Sequence, residues 1–305
     1  MPPSKRDLTE PTTYKCIDAG VDWITSTCDD PQRARKLATR ADYWLAQEVS
    51  RGNDRKPWTF SGYRGYCAGH VQTGERHDGL IVRLGGNMAQ RHWLDVWTLA
   101  QRVSRLDTQY TVQFNVDPSQ IITKLHTQAK RWSKKGKAPR QFSAYLNSDG
   151  SSTLYLGSRQ SEVFVRMYDK QRESRALCFQ GCVRFETEWK KDRAKVVAAH
   201  LANTPDVATE CASLTGRVVQ ESGCFPYLQS EALHTICVPQ RLTDSQRRLE
   251  WLRTQVAPVV KALCNAGHTQ DVLQCLSLLA SPGAAGEGQP LPPTSMGQLE
   301  VSHEC

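Results

Sequence analysis

Residues 153–190, TLYLGSRQSEVFVRMYDKQRESRALCFQGCVRFETEWK, alternate apolar and polar side chains with a period of two. Side chains of a strand point to opposite faces in turn, so this pattern restricts the segment to β-structure with one buried face. It reads as three short strands, with one helical turn or linker between the second and the third. In the second, Val163, Val165 and Met167 point one way, and Phe164, Arg166 and Tyr168 the other. In the third, Val183, Phe185 and Trp189 share a face opposite Arg184, Glu186, Glu188 and Lys190. Tyr168 therefore shares a polar face with arginines and carboxylates, an arrangement suited to phosphate chemistry.

A chain of 305 residues with 39% hydrophobic and 23% charged residues has ample length to bury a core, as one large domain or two small ones. Its net charge of +8 favours polyanionic partners. No apolar run has the length of a membrane span, and the first residues, MPPSKRDLTEPTTYK, contain no signal-peptide core, which implies a cytoplasmic protein. The eleven cysteines lack the spacing of a zinc site, Cys178 and Cys182 being the nearest pair, and read as reduced thiols.

Along the chain, residues 1–15 read as a disordered arm. VDWITST (21–27) is a first strand with Asp22 on its polar side. Asp29, Asp30 and Pro31 signal a helix start, and apolar spacing carries that helix to about Val49. Residues 51–62 read as a polar loop, 62–70 and 77–86 as strands, and Met88 to about Val103 as a second helix. In 104–114 Leu106, Thr108, Tyr110 and Val112 alternate with Arg105, Asp107, Gln109 and Thr111. A third helix from Pro118 to about Arg131 runs into KRWSKKGKAPR (130–140), which has six basic residues and no acid. A run of this kind is a solvated loop or a clamp on a nucleic-acid backbone, with Lys130, Arg131, Lys134, Lys135 and Lys137 on phosphates and Trp132 stacked on an unpaired base. Helices follow at 192–203 and 205–221. Residues 245–268 read as a helical hairpin broken at Pro258, 271–279 as a short last helix, and 281–305 as a disordered tail.

Three strands thus repeat one polar-face grammar: Arg105-x-Asp107, Arg166-x-Tyr168 and Arg184-x-Glu186. If they are neighbours, Asp107 and Glu186 converge on a divalent cation, for which one or two carboxylates plus phosphate oxygens suffice. The arginines steady charge on the phosphate, and Tyr168 is the nucleophile, its phenolate favoured by the surrounding cations. A phenolate is a better leaving group than an alkoxide, which suits cutting and rejoining a strand. There is no His-x-His pair, no P-loop and no G-x-S-x-G.

Tyr155-Leu-Gly-Ser-Arg-Gln-Ser161 followed by Arg166-Met-Tyr-Asp-Lys-Gln-Arg-Glu173 resembles the Y-x-G-S-R-x-S … R-x-Y-[DN]-K-x-x-E signature of Rep_trans replication initiators, found in rolling-circle plasmids and filamentous phages. Arg184-Phe-Glu186, Ser104-Arg-Leu-Asp107, Asp22-Trp23 and Arg248 to Arg253 resemble flanking motifs of that family, so that the likeness covers roughly residues 20–265. The resemblance implies an origin-specific nicking–closing enzyme. Its tyrosine, here Tyr168, becomes linked to the 5′-phosphate and frees a 3′-OH that primes a polymerase. It further implies Mg²⁺ or Mn²⁺ on Asp107, Glu186 and Glu188, with Glu173 as a secondary acid; Arg166, Lys170 and Arg184 as catalytic cations; Arg159 as a DNA contact; a host helicase and polymerase as partners; and a homodimer. Where many members carry a second acid four residues after the first aspartate, this chain has Thr111.

The expected fold is α+β, a central twisted and largely antiparallel sheet with flanking helices followed by a helical C-terminal part. The expected divisions are an arm (1–15), a catalytic domain (16–240), a helical region (241–280) and a tail (281–305). The competing readings are a conjugative relaxase of the same superfamily and a non-catalytic DNA-binding regulator.

Overall fold

The polar and apolar faces of residues 163–190 are two sides of one large sheet. The structure, a computed structural model, describes residues 14–280 except 101, 137–140, 147–150, 175, 229–232, 234–244, 246–248 and 250. The expected arm up to residue 13, the tail 281–305, Lys137 and Arg248 lie outside the described residues. The chain divides into two compact units, residues 1–238 and 239–305.

The first unit is built on β1 (Tyr14–Cys28), β2 (Lys56–Phe60), β3 (Tyr63–Ala68), β4 (Val71–Arg76), β5 (Gly79–Gly85), β6 (Val103–Phe114), β7 (Phe142–Leu146), β8 (Ser152–Leu156), β9 (Val163–Asp169) and β10 (Cys182–Lys190). They form one sheet in the order β2-β3-β4-β5-β1-β6-β10-β9-β8-β7. Every pairing in it is antiparallel. The two long strands that carry the acid-and-arginine pattern, β6 and β10, lie side by side at its centre, with Asp107 directly across from Glu188.

Helices cover one side of this sheet. α1 (Pro31–Ser50) and α3 (Pro118–Lys134) each start at an aspartate, Asp30 or Asp117, whose carboxylate accepts a backbone N–H of the first turn, with proline at the first helical position. α2 (Gly86–Ala100), α5 (Lys191–Ala202) and α6 (Val207–Glu221) complete the layer. Ile24, Val82, Leu84 and Leu106 of the sheet pack with Leu37 and Trp44 of α1, Trp93 of α2 and Val197 of α5. Further along, Leu154, Val165, Met167 and Phe185 pack with Ile121 and Leu125 of α3 and Val219 of α6. Each such side chain contributes about 1.5–3 kcal/mol on leaving water. The core therefore lies wholly on the Ile24/Met167 side, and none of these five helices packs on the side of Tyr168.

Several expectations change. Residues 51–62 are not all loop, because β2 occupies Lys56–Phe60, and β4 and β7 are strands that the alternation did not disclose. In this part of the sheet glycines and charges dilute the pattern. Gly65 on β3 lies against β4 so closely that a Cβ there would sit 2.1 Å from the Thr73 carbonyl oxygen. The first strand begins at Tyr14, ahead of the expected start. α2 ends at Ala100, and Val103 already belongs to β6. The basic run is not a loop in its first half, since α3 continues through Lys130, Arg131, Trp132 and Lys134. In the second unit a π-helical turn (Leu252–Val256) precedes α7 (Ala257–Asn265), with Pro258 in its first turn, and α8 (Thr269–Ala280) follows. Proline has no N–H to continue the hydrogen-bond ladder, so the change of helix type falls where the break was expected. Among the described residues no helix is long and apolar enough to cross a membrane.

Candidate active site

The polar face takes its shape from an irregularity in β1. Trp23 pairs with Asp107 and Val21 with Thr108, so Asp22 is an extra residue between them. A bulge of this kind re-aims a side chain. Asp22 consequently reaches Arg184 (3.3 Å) on the same face that Trp23 occupies. Arg184, buried at 6% exposure, also donates to Asp18 (2.9 Å) and to the Thr111 hydroxyl (2.9 Å).

Tyr168 stands beside Arg184 in the β9–β10 register, and Thr153 of β8 stands on its other side. Its hydroxyl donates to Glu186 Oε1 at 2.5 Å. Arg166, next on β9, forms an ion pair with Glu186 Oε2 and reaches Asp107 at 3.7 Å. Arg105 grips Asp107 with two hydrogen bonds, 2.8 and 2.6 Å, and lies 3.4 Å from Glu188, whose other oxygen meets Lys190 at 2.9 Å. Charges alternate along the face: Asp22, Arg184, Glu186, Arg166, Asp107, Arg105, Glu188, Lys190.

Burial shapes the protonation of this network. The Tyr168 phenol is pushed well above its ordinary value, first by burial and then by the Glu186 charge and hydrogen bond, which outweigh the lowering effect of Arg184. The expectation of a cation-stabilised phenolate is thus corrected, because the nearest charged partner of the hydroxyl is a carboxylate. Burial raises Asp107 to about 7 despite Arg105. Asp22 is raised by burial and by the nearby Glu186.

The expected residues divide into two groups. Tyr168, Arg166, Arg184, Glu186, Glu188 and Asp107 meet on one face, as the alternation indicates. Lys170, at the start of α4 (Lys170–Ser174), lies 5.9 Å from the Tyr168 ring centroid and pairs with Glu173 at 2.6 Å. Glu173 is exposed and so turned to that lysine. Asp169 points away from the site and caps α4 by accepting the Arg172 N–H. Arg159 sits on the β8–β9 loop with its guanidinium 5.4 Å from the Tyr155 and Phe164 ring centroids. Lys130, Arg131, Lys134 and Lys135 are exposed, but α3 and its end belong to the helix layer, across the sheet from Tyr168. Trp132 is half-buried beside the turn at Gly223, where a Cβ would lie 2.1 Å from its ring. Packed there, it does not stand free as a base platform.

Asp18 is a site residue that sequence reasoning missed, since nothing in a lone aspartate on an edge of the pattern announces Arg184 as its partner. Thr111, noted only for standing where an acid is common, accepts from Arg184. Asp107 and Glu186 both face the Arg166 guanidinium, which stands between the two carboxylates. Among the described residues no group of three or more His, Cys, Asp or Glu is gathered around one point. Glu186 Oε2 is nevertheless buried without a hydrogen bond, its contact with Arg166 being an ion pair only, and Asp22 is close enough to feel its charge. Each of these two carboxylates already faces a guanidinium, Glu186 that of Arg166 and Asp22 that of Arg184, so the side chains as placed do not fit a cation unless an arginine moves aside.

A comparison with curated proteins finds no match. Among solved structures the chain is similar to a rolling circle replication initiator protein from Geobacillus stearothermophilus, at 19% identity and a TM-score of 0.46, covering 68% of this chain and 83% of that one. The family model for replication initiation factors, Rep_trans, matches residues 103–276, more than half of the chain and the whole run from β6 to β10 that carries Asp107, Arg166, Tyr168, Arg184 and Glu186. The chain belongs to the Rep_trans family of replication initiation factors.

Proposed function

We propose that this chain is an origin-specific DNA nicking–closing enzyme that starts rolling-circle replication of a plasmid or phage through a covalent 5′-phosphotyrosyl intermediate. The observation that carries the reading is the Tyr168 hydroxyl, hydrogen-bonded to the Glu186 carboxylate on the sheet face opposite the five-helix layer, with Lys170 of α4 beside its ring. A phenol with its ionisation pushed upward is a poor nucleophile until its proton is taken, and Glu186 Oε1 is placed to take it. As the Tyr168 oxygen attacks the phosphorus, the proton passes to Glu186. The bond from phosphorus to the 3′ oxygen breaks, and that oxygen leaves as a hydroxyl, protonated from solvent. Closing is the reverse attack by the 3′-OH on the phosphotyrosyl bond.

Arg166 holds Glu186 through Oε2, and Arg184, fixed by Asp18, Asp22 and Thr111, flanks Tyr168 from the neighbouring strand. Asp107, Glu186, Glu188 and Asp22 are each paired with Arg105, Arg166 or Arg184, so any of them would hold Mg²⁺ or Mn²⁺ only with its arginine displaced. Such a cation, when bound, polarises the scissile phosphate. The face is otherwise close to neutral, so a DNA phosphate gains little attraction from its side chains alone.

The test is incubation of the purified chain with supercoiled plasmid carrying the cognate origin and Mg²⁺. Nicked circles and a protein–DNA adduct that resists denaturant are expected, and Tyr168→Phe is expected to form neither. An adduct with the Phe protein overturns the role of Tyr168. Origin binding without any nicking by the unaltered protein assigns the chain to the regulators instead.

A further inference from the structure

One strand beyond Tyr168, the sheet face opens into a cavity of about 570 Å³ between β7, β8 and the β8–β9 loop, within the range of small-ligand sites. Its walls are aromatic. Tyr155 and Phe164 are stacked, with ring centroids 5.5 Å apart and planes at 17°. Tyr145, 56% exposed on the edge strand, stands edge-on to Tyr155 at 5.6 Å. The Arg159 guanidinium lies over both members of the stack. Among the described residues no carboxylate pairs with it. Ser143 and Thr153 add hydroxyls to the lining.

The cavity is tied to the cleavage residues by register. Thr153 pairs with Tyr168, Tyr155 with Arg166, and Phe164 with Glu188. Neighbouring strands are about 4.8 Å apart, so Thr153 stands one strand spacing from the nucleophile and Tyr145, its partner on β7, two, or about 10 Å. The loop that carries Arg159 is held in place by the Gly157 N–H, which donates to the Gln141 carbonyl (2.9 Å), and by Lys190 Nζ, which donates to the Arg159 carbonyl. Gly157 takes φ +88°, a conformation that favours glycine. This is a fixed aromatic slot with an available cation above it. Aromatic faces accept unpaired bases of any sequence, and an arginine at the slot serves the adjoining phosphate or the base face.

Resting on the nicking role proposed for Tyr168, we infer that the cavity takes one unpaired nucleobase of the single strand next to the scissile phosphate, stacked on the exposed ring of Tyr145, which stands edge-on to Tyr155, with Arg159 in the same lining. A base lodged there sets which phosphate lies before Tyr168, so the cavity is a positioning site for the cut.

The test uses the full chain carrying Tyr168→Phe, which removes strand transfer, and a twelve-residue oligothymidylate with one 2-aminopurine at its centre. Stacking quenches 2-aminopurine, and anisotropy of a labelled oligonucleotide reports affinity. Quenching is expected on binding. Tyr145→Ala is expected to weaken binding about five- to hundredfold and to abolish the quench, which corresponds to loss of one stacked base. Arg159→Gln is expected to flatten the salt dependence by about one counterion. Both residues are exposed, so both variants fold, and circular dichroism verifies it. Unchanged affinity and quenching in Tyr145→Ala overturn the inference, as does an equal loss of affinity for duplex and single strand, since a duplex offers no free base. The measurement involves no cleavage, so its failure leaves the adduct assay for Tyr168 standing, and a failed adduct assay leaves this result intact.

Discussion

Replacing Glu186 by Gln isolates proton transfer from geometry. The amide oxygen still accepts the Tyr168 O–H that Oε1 accepts at 2.5 Å, so the tyrosine keeps its position, while basicity and charge are lost. Loss of a positioned general base costs about 10²–10⁴ in rate, or about 2.7–5.4 kcal/mol at 1.36 kcal/mol per decade. An opposing effect works here. Glu186 supplies the two largest of the three charge-related causes that hold the phenol up, the third being Glu173, so its removal makes Tyr168 more acidic. The loss in nicking rate should therefore fall at the lower end, about a hundredfold, measured as initial conversion of supercoiled to open-circular plasmid at saturating protein.

Two controls separate this from a merely structural effect. Breaking a fully buried pair costs about 3–5 kcal/mol, but Arg166 is 31% exposed at its side chain and keeps Asp107 at 3.7 Å, so the fold should lose only about 1–2 kcal/mol in urea denaturation. The pH dependence should steepen. Without an internal acceptor the rate follows the phenolate fraction, rising about tenfold per pH unit, whereas in the unaltered protein Glu186 takes the proton and the rise is shallower. A Gln variant that nicks within threefold of the parent, or with the same pH slope, removes Glu186 from the proton path.

Other consequences follow from the same network. Asp107 titrates near 7 when folded against 3.8 as a model group, so the folded state holds the proton more tightly. That contribution is complete below about pH 4 and is lost as pH rises to 7, at no more than about 1.4 kcal/mol per pH unit. The urea midpoint of the parent should fall between pH 5 and 7.5 relative to that of Asp107→Asn, and parallel curves would contradict the burial argument. Thr111→Val leaves the Arg184 Nε–H without its acceptor in a buried setting and should cost about 1–3 kcal/mol, read by thermal unfolding; no change would mean that Arg184 is held by Asp18 and Asp22 alone. Neutralising Lys134 and Lys135 together should lower the salt slope of origin binding by about two, while leaving cleavage of a saturating single-stranded substrate unchanged, because they lie across the sheet from Tyr168.

The parts that were legible are those with an uninterrupted period. β9 and β10 show their faces in the order of residues because one side packs apolar side chains against helices and the other, though also buried in β10, packs charges against one another, and the Arg-x-acid and Arg-x-Tyr triplets follow from that alternation. The β2–β4 meander was not legible, since Gly65 and Gly74 pack backbone on backbone and leave no side chain to alternate. A bulge is equally silent: Asp22 reads as an ordinary polar-face residue, and only the register slip between Val21 and Trp23 places it beside Arg184.

The larger gap lies between listing charges and knowing which neutralises which. Counted along the sequence, the cations around Tyr168 suggest a stabilised phenolate, but Arg166 is engaged by Glu186 and Asp107, and Arg184 by Asp18 and Asp22. What remains closest to the hydroxyl is a carboxylate, and burial amplifies its influence. The sign of the effect on the nucleophile is therefore set by pairing across strands that are distant in sequence. In the nicking role proposed for Tyr168, the same pairing means that the phenol is activated only as its proton moves to Glu186.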